Sequence, residues 1–292
     1  MDNDLTTNIH WFPGHMMKTL RVIEASLKDV DLVIELLDAR VPLSSKNPEL
    51  AALTSGKPRL LLLNKSDLAD ESSTKRWIAY YKQNGFGAVA ISSREQKLQK
   101  MCVDACKDLI KDKLQRQTER GAINSKIRAM VVGIPNVGKS TFINNISNKA
   151  ATKTEDRPGV TRGKQWISLP EIELLDMPGV LWRRFEDINT ALKLSFTGAI
   201  KDDILDIEQI AACLLGILKE KYGDRLIERY KLQNEALPDN NYELLELIAK
   251  KRGMLVSKGE YDTLRAAQML LDELRGGKLG RITFEEPNEY DT

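Results

Sequence analysis

Gly133–Ser140 reads GIPNVGKS, the pattern G-x-x-x-x-G-K-[ST], and it lies between an apolar run, IRAMVVG, and a helix-like run, STFINNIS. That order restricts the fold sharply. A loop of this pattern cradles a polyphosphate only when a strand delivers it and a helix leaves it, so that backbone N–H groups and the positive helix N-terminus meet on one anion. Lys139 is then placed to neutralise the β and γ phosphates and Ser140 to ligate Mg²⁺, with Asn136, Val137, Gly138 and Thr141 completing the cradle. The loop falls late. Three strand-like runs precede it, DLVIELLD (31–38), PRLLLLN (58–64) and GAVAIS (87–92), and IELLDMP (172–178) follows it.

Short apolar runs alternating with longer amphipathic ones predict βαβ units around a mostly parallel sheet. The helix-like stretches between them are MMKTLRVIEASLKD, STKRWIAYYKQNG and EQKLQKMCVDACKDLIKDKLQRQ. From about Trp182 onward the pattern is helical, with EQIAACLLGILKEKYG, NYELLELIAKKRG and EYDTLRAAQMLLDELRGG as the clearest segments. The expected organisation is an α/β nucleotide domain over 1–184 and a small all-helical domain over 185–285, with a frayed polar tail, EEPNEYDT. A chain of 292 residues suits two cores better than one.

The end of the second apolar run, Asn64-Lys65-Ser66-Asp67, has the chemistry to read a guanine. A carboxylate at Asp67 can accept from both the ring N–H and the exocyclic amine, Asn64 can meet the other edge, and the Lys65 stem can pack over the base plane. Adenine offers Asp67 neither donor, and a site built for such groups rejects the analogue lacking them by about 10⁴ to 10⁵. Ser92 and Ser93, closing the third run, can add backbone contacts to the guanine oxygen. Downstream of the phosphate loop, RPGVTRG offers Thr161 to the Mg²⁺ shell. DMPG offers Asp176 to the metal through water and the Gly179 N–H to a γ-phosphate. The parts are those of a P-loop GTPase in rotated order, base loops first. A site depends on positions in space, so a circular permutation preserves it if the old ends can be joined, and LQRQTERGAINSK is polar enough to do so.

Together WFPGHM (11–16), DAR (38–40), NKSD, GIPNVGKS, PGVTR and DMPG resemble the circularly permuted bacterial ribosome biogenesis GTPase A family, over nearly the whole chain. The resemblance implies a GTPase that binds GTP and GDP, acts late in assembly of the large ribosomal subunit, binds ribosomal RNA and hydrolyses GTP faster when the subunit is present. It also implies two further roles. Val180 stands where many GTPases carry a water-orienting Gln, and the family's substitute is the His of W-F-P-G-H, here His15. Asn136 occupies a position that resembles GTPases activated by K⁺.

Composition excludes little else. Lys+Arg 44 against Asp+Glu 42 gives a net +2, so any nucleic-acid surface must be local. The local candidate is the basic series Lys250, Lys251, Arg252, Lys258, Arg265, Arg275, Lys278 and Arg281. Three cysteines without paired spacing point to a reducing compartment, and no run reaches the ~18 apolar residues of a membrane span. The expectation is a cytoplasmic monomer with no membrane partner. Two rivals stay open at this level: a small-molecule phosphotransferase on the same P-loop, and a protein-binding switch acting away from the ribosome.

Overall fold

A computed structural model of the chain describes residues 14–93, 95, 97–120, 126–147, 164–182, 185, 187–232, 236–256 and 259–287. It divides into an α/β unit, residues 1–186 with 283–292, and a helical unit, residues 187–282.

The α/β unit is built on six strands: β1 (Leu32–Asp38), β2 (Arg59–Asn64), β3 (Gly87–Ala90), β4 (Ile127–Gly133), β5 (Gln165–Ser168) and β6 (Ile172–Asp176), in the order β3-β2-β1-β4-β6-β5. All neighbours pair in parallel except β5 with β6. β1 and β2 are buried along their whole length, as strands covered on both faces must be, which is why they read as unbroken apolar runs. The core on one side gathers Leu37, Leu61, Leu63, Trp77, Tyr81 and Ala88 from β1, β2, β3 and α3 (Glu71–Gln83). Asp70 caps α3 through the Ser73 N–H.

Chain order runs outward from β1 through β2 to β3, then returns to β4 on the other side of β1. The strand order therefore reverses between β1 and β4, and in open α/β sheets ligands bind beyond the carboxyl ends of the strands at such a switch point. The loops after β1, β2, β3, β4 and β6 all open there.

Three features depart from the sequence reading. β5 was not foreseen, because an edge strand with only Ile167 buried has no apolar run to announce it. The third helical stretch is two helices, α4 (Leu98–Leu109) and α5 (Lys111–Glu119), broken at Ile110. The tail does not fray at its start: Glu285 is fully buried and accepts from the Leu43 N–H at 2.7 Å, the Ser44 N–H at 3.2 Å and the Ser44 hydroxyl. Trp77 Nε1 donates to the Glu285 carbonyl at 2.9 Å, and Arg76 pairs with Glu286.

In the helical unit, α8 (Ile207–Lys221) packs on α10 (Asn241–Lys251) and α11 (Thr263–Arg275). Leu214, Leu215, Leu244, Leu245, Leu270 and Leu271 form its core. Asp206, Asn240 and Asp262 cap the three helices.

Candidate nucleotide site

The phosphate loop leaves β4 at Gly133 and enters α6 (Lys139–Ile146) at once, the strand-loop-helix setting that its pattern requires. Gly138 turns into the helix at φ +94°, and a Cβ there would stand 2.3 Å from Asn64 Nδ2, so only glycine lets the base loop approach. Asn136 takes a left-handed φ of +57° and is exposed. Ser140 and Thr141, in the first turn of α6, are half-buried.

Asn64 joins three loops. Its Nδ2 donates to the Val137 carbonyl at 2.7 Å, and its Oδ1 accepts from the Ser93 N–H at 2.9 Å and the Ser93 hydroxyl at 2.7 Å. This alters the reading of Ser93, whose N–H is directed at Asn64 rather than at a base; Ser92 beside it is half-buried. Lys65, at φ +58°, donates from Nζ to the Asn136 carbonyl at 2.7 Å and lies 3.0 Å from Asp38 Oδ2. Asp67 is exposed beyond them.

Asp176, closing β6, forms a buried ion pair with Lys139. Gly179 packs on the phosphate loop so tightly that a Cβ would meet Pro135 N at 3.1 Å. Val180 is fully buried, donates its N–H to the Gly133 carbonyl at 3.1 Å and accepts from Asn47 Nδ2 at 2.9 Å. The position at which many GTPases place a Gln is therefore turned into the core. Thr161 and the His15 side chain lie outside the described residues; the His15 backbone belongs to α1 (Gly14–Ser26).

Oxygen donors at the start of α6 and the end of β6, with no convergence of three His, Cys, Asp or Glu among the described residues, suit Mg²⁺, which keeps several waters and takes few protein ligands.

Sequence reasoning assigned no role to several residues that hold this geometry. Asp38 and Arg40 form a buried ion pair beside Lys65. Asn145 donates to the Ser93 and Glu95 carbonyls at 2.9 and 3.0 Å. Asn47 ties the loop after β1 to Val180. A polar pair at the end of an otherwise apolar strand was the available signal for Asp38 and Arg40; an Asn inside an amphipathic helix carries none.

The basic series of the helical unit also changes. Arg275 is spent on Asp202 and on the Phe196 and Ser195 carbonyls, and Arg252 lies 3.6 Å from Glu273. Lys250, Lys251, Arg265, Lys278 and Arg281 remain exposed, and Lys258 lies outside the described residues. Among the described residues no helix is long and apolar enough to cross a membrane.

A family model described as 50S ribosome-binding GTPase matches residues 128–255. Ribosome biogenesis GTPase A of Bacillus cereus is 48% identical over 283 residues, spanning 97% of this chain and 95% of its own. The protein of that name from Thermotoga maritima is 31% identical, over 96% and 95%. Among solved structures, GDP-bound YlqF of T. maritima matches with a TM-score of 0.69 at 29% identity, over 92% of this chain and all of that one. The GNP-bound form matches at 0.64 and 28%. With a circularly permuted P-loop GTPase domain, a helical C-terminal domain and relatives this similar over 95% of their own length, the chain is a GTPase of the ribosome biogenesis GTPase A family.

Proposed function

We propose that this GTPase acts late in maturation of the large ribosomal subunit, that the subunit stimulates its hydrolysis of GTP, and that its helical unit contacts ribosomal RNA. The observation that carries the nucleotide part is the convergence of Asn64, Lys65, Ser93 and Val137 at one end of the sheet. The ribosomal part is supported by the names of the relatives and by the 50S description of the matching family.

In this reading Asp67 accepts from guanine, Asn64 meets its other edge and the Lys65 stem lies over the ring. The 133–140 loop wraps the phosphates, with Lys139 moving its charge from Asp176 to the β and γ oxygens. Ser140, Thr161 and, through water, Asp176 would hold Mg²⁺, which would neutralise phosphate charge. Asn136 would hold K⁺, which would add to that neutralisation. Gly179 gives its N–H to the γ-phosphate.

His15 orients the attacking water, since a neutral imidazole can accept its proton near pH 7 and the Val180 side chain is directed into the core. Turnover is slow until the subunit completes the site. The chain works as a monomer in the cytoplasm.

Co-sedimentation with purified large subunits tests the partner. Binding that is stronger with a non-hydrolysable GTP analogue than with GDP is expected; equal absence of binding in both states removes the ribosomal reading.

A further inference from the structure

None of the roles above uses Asp38 or Arg40, yet both are buried, at 2% and 1% exposure, at the end of β1 beside the base loop. The Arg40 guanidinium grips the carboxylate with two bonds, Nε to Oδ1 at 2.9 Å and Nη2 to Oδ2 at 2.8 Å, and the Arg40 N–H adds a third to Oδ1 at 3.1 Å. The Asp38 N–H is in turn held by Ser45 Oγ at 3.0 Å. The carboxylate thus has one orientation. It faces Lys65 Nζ at 3.0 Å, and that ammonium also donates to the Asn136 carbonyl at 2.7 Å. The Ala39 N–H, between the two, donates to the Asn64 carbonyl at 2.8 Å, so the ends of β1 and β2 are joined through backbone as well.

Lys65 and Asn136 both have left-handed backbones; Asn enters that region readily, but a Lys does so rarely, and there its surroundings hold it. We infer that Asp38, clamped by Arg40, is a positioning residue for guanine recognition: it holds the Lys65 ammonium against Asn136, so that the base loop and the phosphate loop keep one relative pose. This rests on the nucleotide site proposed above.

Electrostatics agree with the geometry. Burial pushes the Asp38 carboxyl up, but the Arg40 and Lys65 charges and the bonds from Arg40 outweigh it, and the group stays ionised far below neutral pH. Burial works against the Arg40 guanidinium, and Asp38, with Asp67 in addition, holds it charged. Arg40 therefore stands in the field of both the anchoring carboxylate and the base-reading one. Lys65 is 23% exposed, so the contact with Asp38 sets its pose rather than its burial.

The test is a double-mutant cycle on GDP affinity with the full chain: wild type, Asp38→Asn, Lys65→Met and the pair. Asp38→Asn is expected to weaken GDP binding about tenfold to a hundredfold, in line with losing a charge-assisted bond. The double variant is expected to bind no more than about threefold less tightly than Lys65→Met alone, because the two residues act as one. Losses that multiply overturn the inference, since Asp38 would then act on the fold and not through Lys65; so does an unchanged affinity in Asp38→Asn.

Asp38→Asn leaves the Arg40 guanidinium buried without its carboxylate. Asp38→Glu is therefore run beside it, with the same loss and the same non-additivity expected, and wild-type affinity in that variant overturns the inference equally. ADP binding by the wild type separates the two levels. If GDP binds no tighter than ADP, the guanine site itself fails; if GDP is preferred and the losses multiply, only the role of Asp38 fails.

Discussion

Asn64, the last residue of β2, donates its side-chain amide to the Val137 carbonyl, 2.7 Å away and 73 positions later in the chain. That bond links the base loop to the phosphate loop, and it is indifferent to which of them comes first. Closing a loop of this length costs only slightly more than closing a shorter one, since the entropy grows with the logarithm of length. The rotated order of the motifs is thus tolerated because the contacts between loops, and not their sequence order, define the site.

Replacing Asn64 with Ala removes one donor and one acceptor and leaves the Val137 carbonyl, the Ser93 N–H and the Ser93 hydroxyl without their bonds. Asn64→Ala is expected to lower unfolding free energy by about 3 kcal/mol and to weaken GDP binding more than about tenfold. Urea denaturation and nucleotide titration of the same preparation measure both.

Asp67 behaves differently because it is exposed. Asp67→Asn is expected to change stability by less than about 0.5 kcal/mol, as for most surface substitutions. GDP affinity is expected to fall by about a hundredfold or more, with a relative gain for xanthosine diphosphate, whose extra carbonyl can accept from the new amide. Loss of stability without a change in base preference would count against Asp67 as the base reader.

Glu285 is an anchor for the α/β unit. Glu285→Ala is expected to cost about 3 kcal/mol, because the Leu43 and Ser44 N–H groups lose a buried carboxylate. Truncation after Ile282 is expected to cost at least as much, since Thr283 also accepts from the Asp70 N–H and the Phe284 N–H donates to Arg40. Unfolding curves identical to wild type would show that the tail is dispensable.

Glu273 gives the helical unit a pH dependence. Burial raises its carboxyl, but bonds from Arg229 and Tyr230 and the charges of Arg229 and Arg252 outweigh that and hold it below its ordinary value. A depressed carboxylate contributes stability that is fully present above its unfolded pKa, about 4.3, and lost as pH falls through the folded value. Glu273→Gln is therefore expected to melt lower than wild type at pH 7 and to converge with it as the pH is taken below about 4. A gap that persists at low pH would assign the effect to packing.

Much of the fold was legible because its strands are buried on both faces and read as apolar runs, and because Gly133–Ser140 dictates the elements on either side of it. The candidate site residues lie at the strand ends, but the bonds among them, Asn64 with Val137 and Ser93 and Lys65 with Asn136, were not legible. What stayed hidden was non-local or marginal. β5 has one buried residue, and the break at Ile110 has no Gly or Pro beside it. The partners of Glu285 lie 241 and 242 positions away. Arg275 looked like surface charge until its partners, Asp202 and two carbonyls, were seen. In each case the decisive physics was a contact that local pattern does not encode.

The most direct test of the account is GTP hydrolysis by the purified protein in K⁺ buffer, with and without purified large ribosomal subunits. The account predicts slow turnover alone and strong stimulation by the subunit. Tight GTP binding with no stimulation would leave the permuted GTPase standing and contradict its proposed role on the ribosome.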